Sequence, residues 1–162
     1  MTFETVTLRP PHAGDLGWVV HRHGALYARE QGWDARFEGI VAGVVAEFVK
    51  NFDAQRERCW IAEMDGAVIG SIFLVKKSDE VAQLRLLYVE PEARGLGLGR
   101  RLVDECTRFA RDAGYREIIL WTNSVLKSAR RIYEAAGYTL VEEGPHPLFG
   151  DGQLAQSWRR EL

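Results

Sequence analysis

The 162 residues carry 21 Lys+Arg against 23 Asp+Glu, a formal net charge of −2 at pH 7, with 46% apolar and 27% charged residues. That length suits one domain with a hydrophobic core, and the composition excludes disordered and collagen-like classes and a strongly basic nucleic-acid binder. No run of eighteen apolar residues occurs, and the N-terminal MTFETVTLRPP lacks the basic and apolar regions of a secretory signal, so a cytoplasmic protein that neither spans nor is drawn to a membrane is expected.

In chain order, Phe3, Val6 and Leu8 mark a short strand ended by Pro10-Pro11. From Asp15 the period becomes helical, with Leu16, Val19, Val20, His23 and Tyr27 recurring at steps of three and four up to Gly32; Phe37, Ile40, Val41, Val44, Val45 and Phe48 predict a second helix. The β-rich runs RCWIAEM and AVIGSIFLVK flank Asp65-Gly66, a dipeptide suited to the positive φ angles of a hairpin turn. A third run, AQLRLLYV, stops at Pro91, and a glycine-rich loop leads into a helix with Leu98, Leu102, Cys106, Phe109, Ala110 and Ala113 on one face, closed by Gly114. EIILW then reads as a strand, VLKSARRIYEAA as a helix closed by Gly137, YTLVEE as a strand, and QLAQSWRREL as one more.

This order predicts a mixed sheet with helices on its faces, as one unit over residues 1–162, with no repeat or linker. Cys59 and Cys106 fall on apolar stretches and are expected to be buried free thiols. His21 and His23, two apart in a helix, point to different faces, and no metal site is expected.

The most informative stretch is LYVEPEARGLGLGRRL, where Gly95, Gly97 and Gly99 lie between a strand and a helix N-terminus. Residues without a Cβ let the backbone approach an anion, the unpaired N–H groups of the first helical turn point at it, and Arg94, Arg100 and Arg101 supply charge. A dinucleotide fingerprint fails because the residue five after Gly95 is Arg100, and a P-loop fails because no lysine follows the glycines. The competing reading is that the glycines only permit a tight connection.

Arg94-Gly95-Leu96-Gly97-Leu98-Gly99 resembles the Arg/Gln-x-x-Gly-x-Gly/Ala signature of the GNAT acetyltransferase superfamily, and TNSVLKSARRIYEAAGYTLVEE resembles its second motif. The resemblance implies an α/β (α+β) fold: a mixed, mostly antiparallel central sheet flanked by about four helices. It also implies an acetyl-CoA-dependent N-acyltransferase acting on a primary amine of a small molecule or amino acid by direct attack, with no metal. The backbone of Leu87, Tyr88 and Val89 would hold the pantetheine arm. Arg94, Gly95, Leu96, Gly97, Leu98, Gly99 and Arg100 would hold the pyrophosphate, Asn123 and Ser128 would also bind the cofactor, and Ala129 and Tyr133 would lie on the helix that flanks the thiolate leaving group.

Within that resemblance Tyr133 is the expected general acid, four residues after Ala129 on one helix face, with a core aromatic as the other reading. Asn123 either bonds the pantetheine or caps the next helix. Tyr27, Glu30, Trp33 and Arg85 are expected to line the acceptor pocket, Arg85 meeting an acceptor carboxylate or closing a structural ion pair. Where many family members carry an acid before the loop, this chain has Gln83 and Arg85, which leaves Glu30, Glu38 and Glu63 as candidate bases.

The first helices and the tail further resemble the acetyltransferase halves of bacterial MarR-GNAT fusion proteins, and a stand-alone enzyme is the expectation here. A non-catalytic acyl-CoA-binding sensor or partner module is the alternative. A homodimer is compatible with these features, and a nucleic-acid partner is not expected.

Overall fold

The computed structural model describes residues 5–149 and 152–162; Phe3 of the expected first strand lies outside them. The elements are β1 (Thr7–Arg9), α1 (Asp15–Gln31), α2 (Ala35–Lys50), β2 (Arg58–Met64), β3 (Ala67–Lys76), β4 (Val81–Val89), α3 (Leu98–Asp112), β5 (Glu117–Asn123), α4 (Lys127–Ala135), β6 (Thr139–Pro145) and β7 (Leu154–Glu161). A 3₁₀ turn at Pro91–Ala93 starts the loop between β4 and α3. The strands form one sheet in the order β1-β2-β3-β4-β5-β7-β6, antiparallel throughout except for β4 and β5. No helix among the described residues is long and apolar enough to cross a membrane.

Alternation along the strands creates two packing layers. On one face, Ala82, Leu84, Ile118, Leu120 and Trp158 meet the stripe of α3 (Leu98, Leu102, Val103, Cys106, Ala110) and Tyr133 of α4. On the other, Cys59, Ile61 and Phe73 meet Val19 of α1 and Val45 and Phe48 of α2. Both thiols are buried and free. The start of α1 is fastened to the sheet by Arg9, which bonds Asp15 and Glu63 together. Asp34 begins α2, its carboxylate accepting from the Arg36 N–H at 3.0 Å.

The hairpin turn is as the sequence predicts, with Asp65 at φ 52° and Gly66 at φ 79°. The sequence does not show a bulge in β4. Arg85 opposes Phe73 and Tyr88 opposes Ser71, so Leu86 and Leu87 together face Ile72. Leu86 takes a left-handed conformation, φ 54°, which costs a residue with a Cβ about 1–2 kcal/mol. The parallel pairing of β4 with β5 runs from Val81↔Glu117 to Leu84↔Leu120 and ends at the bulge. From Arg85 onward β4 keeps only its β3 partner, and its other backbone edge is open.

Gly70 makes the bulged seam possible, because a Cβ there would stand 2.8 Å from the Tyr88 carbonyl oxygen. The obstacle is main chain and cannot rotate away. Gly70→Ala is expected to destabilise the protein by about 1–3 kcal/mol, as overpacking does, and to lower Tm by about 3–10 °C for a chain of this size. An unchanged melting curve by calorimetry would show that the seam has slack.

Candidate active site

The three glycines of the loop do different work. Gly95 (φ 80°) and Gly97 (φ 76°) hold backbone conformations that side chains resist, and Gly97 caps α3 without any side-chain hydrogen bond. The first-turn N–H groups of α3 therefore have no capping side chain and remain available to an anion. Gly99 lies against α4: a Cβ there would meet Ile132 Cδ1 at 2.6 Å, so the Ile132 side chain of α4 occupies the space that its missing Cβ leaves.

The loop, the open edge of β4 and the start of α4 enclose a cleft of about 530 Å³, lined by Leu87, Val89, Arg94, Gly95, Gly97, Leu98, Gly99, Arg100, Ser128 and Ala129 among others. Leu96 is not on its wall, and the Tyr88 side chain points away, packing on Trp18 and His23 with centroids at 5.6 and 5.0 Å. The arginines separate. Arg94 donates twice to Glu30, at 2.9 and 3.0 Å, and Arg100 Nε donates to Asp104 at 2.9 Å. Arg101, one helical step further round, donates to the Val6 carbonyl at 2.9 Å and leaves the cleft wall. Arg94 holds the Glu30 carboxyl below its ordinary range. Glu30 thus stands at the loop and lines the cleft, and it is not among the residues lining the inner cavity.

That inner cavity, about 130 Å³, adjoins the cleft; Tyr27, Leu87, Leu126 and Ala129 line both. Its aromatic wall comes from chain segments far apart: Tyr27 stacks on Trp33 at 5.4 Å, and Trp33 meets Phe37 at 4.8 Å and Phe149 at 4.7 Å. The Trp33 indole N–H donates to Gln153 Oε1 at 3.0 Å. Tyr133 is buried on the same wall, and burial raises its hydroxyl pKa. Asn123 also lines the cavity; its Oδ1 accepts from the Val125 N–H at 3.0 Å and shapes the turn into α4.

Arg85 lines the cavity half-buried, and among the described residues it forms no hydrogen bond or ion pair, so the structural ion pair is not made. Burial, unopposed by any partner, lowers its pKa. Among the described residues no Asp or Glu lines the cavity. Of the candidate bases, Glu30 is tied to Arg94, Glu63 to Arg9, and Glu38 packs over Gly24 between α1 and α2. Among the described residues no group of three or more His, Cys, Asp or Glu could hold a metal ion.

Sequence reasoning missed His23, which lines the cavity from α1 one turn before Tyr27. Its Nδ1 lies 2.7 Å from the Val19 carbonyl oxygen, which only accepts, so Nδ1 carries the proton. Nε2 is buried with no partner. The available signal was an imidazole inside an otherwise apolar stripe.

Residues 27–138 match the family model described as the Acetyltransferase (GNAT) family. Human N-acetyltransferase 8 is 30% identical over 112 residues, covering 65% of this chain and 49% of that protein. The chain spans about half the length of the curated relatives it matches. An acetyltransferase from Streptococcus agalactiae 2603 has a TM-score of 0.77 at 22% identity, covering 99% of this chain and 100% of that one. A Salmonella typhimurium structure described with its cofactor acetyl-CoA has a TM-score of 0.76 at 18% identity, covering 98% and 94%. At these identities the structural likeness concerns the fold.

Burial pushes the His23 pKa down to about 4 against the opposing pull of its Val19 hydrogen bond. The unfolded chain takes up this proton near pH ~6.5 and the folded chain does not, so stability falls as pH drops from there towards 4. By pH 5 the expected loss is about 2 kcal/mol relative to neutral pH. Urea midpoints should show this loss in the native protein and not in His23→Phe; equal losses in both would assign the acid sensitivity elsewhere.

Proposed function

Because this chain belongs to the acetyltransferase (GNAT) family, we propose that it transfers the acetyl group of acetyl-CoA to the primary amine of a small molecule or amino acid. The observation that carries this reading is the junction of two spaces at Leu87 and Ala129: a cleft with an uncapped helix N-terminus and an inner cavity holding Tyr133. When bound, acetyl-CoA supplies the acetyl thioester that the amine attacks.

The first-turn N–H groups of α3 receive the phosphates, with Arg94 and Arg100 beside them. The open edge of β4 offers main-chain groups to the amides of an extended arm, as a further strand would. An N–H on that edge is also the donor for the carbonyl oxygen as charge gathers there. Tyr133, kept protonated by burial, would donate from Oη to the departing sulfur and be restored by the proton that the nitrogen loses on forming the amide. With largely apolar walls, the Arg85 cation and no carboxylate among the described residues, the cavity favours the neutral amine over the ammonium and lessens the need for a strong base.

Thiol release from acetyl-CoA over a panel of amino acids, polyamines and aminoglycosides tests the reading. Tyr133→Phe is expected to lower kcat by about 100-fold or more, as loss of a general acid does, while calorimetric CoA affinity holds. A kcat within a few-fold of native would remove Tyr133 from that role. CoA binding without turnover on any amine would make the chain an acyl-CoA-binding module, and no CoA binding would overturn the proposal.

A further inference from the structure

Resting on that reading, we propose that the acceptor is an amino acid with an apolar or aromatic side chain, its carboxylate held by Arg85. Two of the three arginines of the cleft wall have carboxylate partners, Arg94 with Glu30 and Arg100 with Asp104, and the third, Arg131, lies at the cleft and not in the inner cavity. Arg85 lines the inner cavity without one among the described residues. A guanidinium withdrawn from water and left unpaired is costly, and a ligand carboxylate in bidentate contact relieves that cost.

The rest of the cavity selects the remainder of the molecule. Trp33, Phe37, Ile40, Val44 and Phe149 give it an apolar wall. Among the described residues no carboxylate lines the cavity, so a polyamine or an aminoglycoside, with several cations to place, finds no counter-charge there and meets Arg85 instead. Trp121, 43% exposed and stacked on Phe149 at 5.7 Å, borders both this cavity and a second hollow on the sheet beside Ile119, Val141 and Arg159, leaving room for a long side chain at the mouth. The unpartnered Nε2 of His23 is a bare acceptor, suited to an N–H of the incoming amine.

The test compares kcat/KM for leucine, phenylalanine and methionine with isoamylamine and phenethylamine, which lack the carboxylate, and with spermidine. Alongside, calorimetry measures binding of the same compounds to the CoA-loaded protein. The amino acids are expected to exceed their carboxylate-free counterparts by about 10- to 100-fold, the worth of a charged hydrogen-bonded contact. Arg85→Met should collapse that ratio to within about threefold of one, and Arg85→Lys should restore part of it. Since Arg85 holds no other group among the described residues, neither variant is expected to melt below the native protein, and Arg85→Met, which removes the unpaired charge, is expected to melt at or above it. Turnover with a ratio near one in the native protein, or a ratio that survives Arg85→Met, would overturn the inference and leave acetyl transfer standing. Binding of the amino acids that depends on Arg85, with no turnover on any amine, would support the acceptor assignment and sink acetyl transfer. Neither binding nor turnover would overturn both.

Discussion

The extra residue in β4 is the constraint on which the site depends. Leu86, forced into a left-handed conformation, ends the pairing of β4 with β5 after four residues and parts two parallel strands at their C-terminal ends. In α/β units that is where ligands enter, because the helices that follow such strands begin there with unpaired N–H groups. Here α3 follows β4 and α4 follows β5, so both helices start beside the gap. The strain at Leu86, about 1–2 kcal/mol, is small against the packing of a core that buries Phe73, Leu84 and Leu102 almost completely.

Charge is arranged locally in a chain whose net charge is slightly negative. Around the cleft, cations stand beside a helix N-terminus, and their carboxylate partners sit at the exposed rim, where such pairs contribute little to stability and exchange partners readily. Inside the cavity the arrangement reverses: the described residues bring one cation, no anion, and aromatic walls that strengthen any electrostatic contact made there. The Arg94–Glu30 pair joins the loop to the end of α1, the helix that also carries Tyr27 and His23 into the cavity.

Elements built from local signals were legible in the sequence, and those built from distant contacts were not. RCWIAEM and AVIGSIFLVK coincide with β2 and β3, and Asp65-Gly66 with their turn, because alternation and turn chemistry are written in neighbouring residues. The bulge was invisible, since LRLLYV reads as uninterrupted strand and only its register against β3 shows the extra residue. Gly99 lines the cleft as a loop glycine would, and it also faces Ile132, a contact with a residue thirty-three positions later that nothing local signals. Arg101 shares the loop's sequence but turns to Val6, and Glu30 answers to Arg94 sixty-four residues away. His23 was placed on the correct helix face, but nothing local told that its second nitrogen would be left bare.

Burial of side chains and protection of backbone separate in β4. Tyr88 is 1% exposed, which would ordinarily mark one of the slowest-exchanging segments of a sheet. Yet from Arg85 to Val89 the amides that point away from β3 have no strand to bond, so they trade hydrogen with solvent through the cleft without any unfolding of the core. A ligand lying along that edge would close the ladder and slow those amides selectively, while the N–H groups bonded to β3 keep their rates. The middle of the molecule thus carries an internal clock of occupancy, read by isotope exchange at a few positions of one strand.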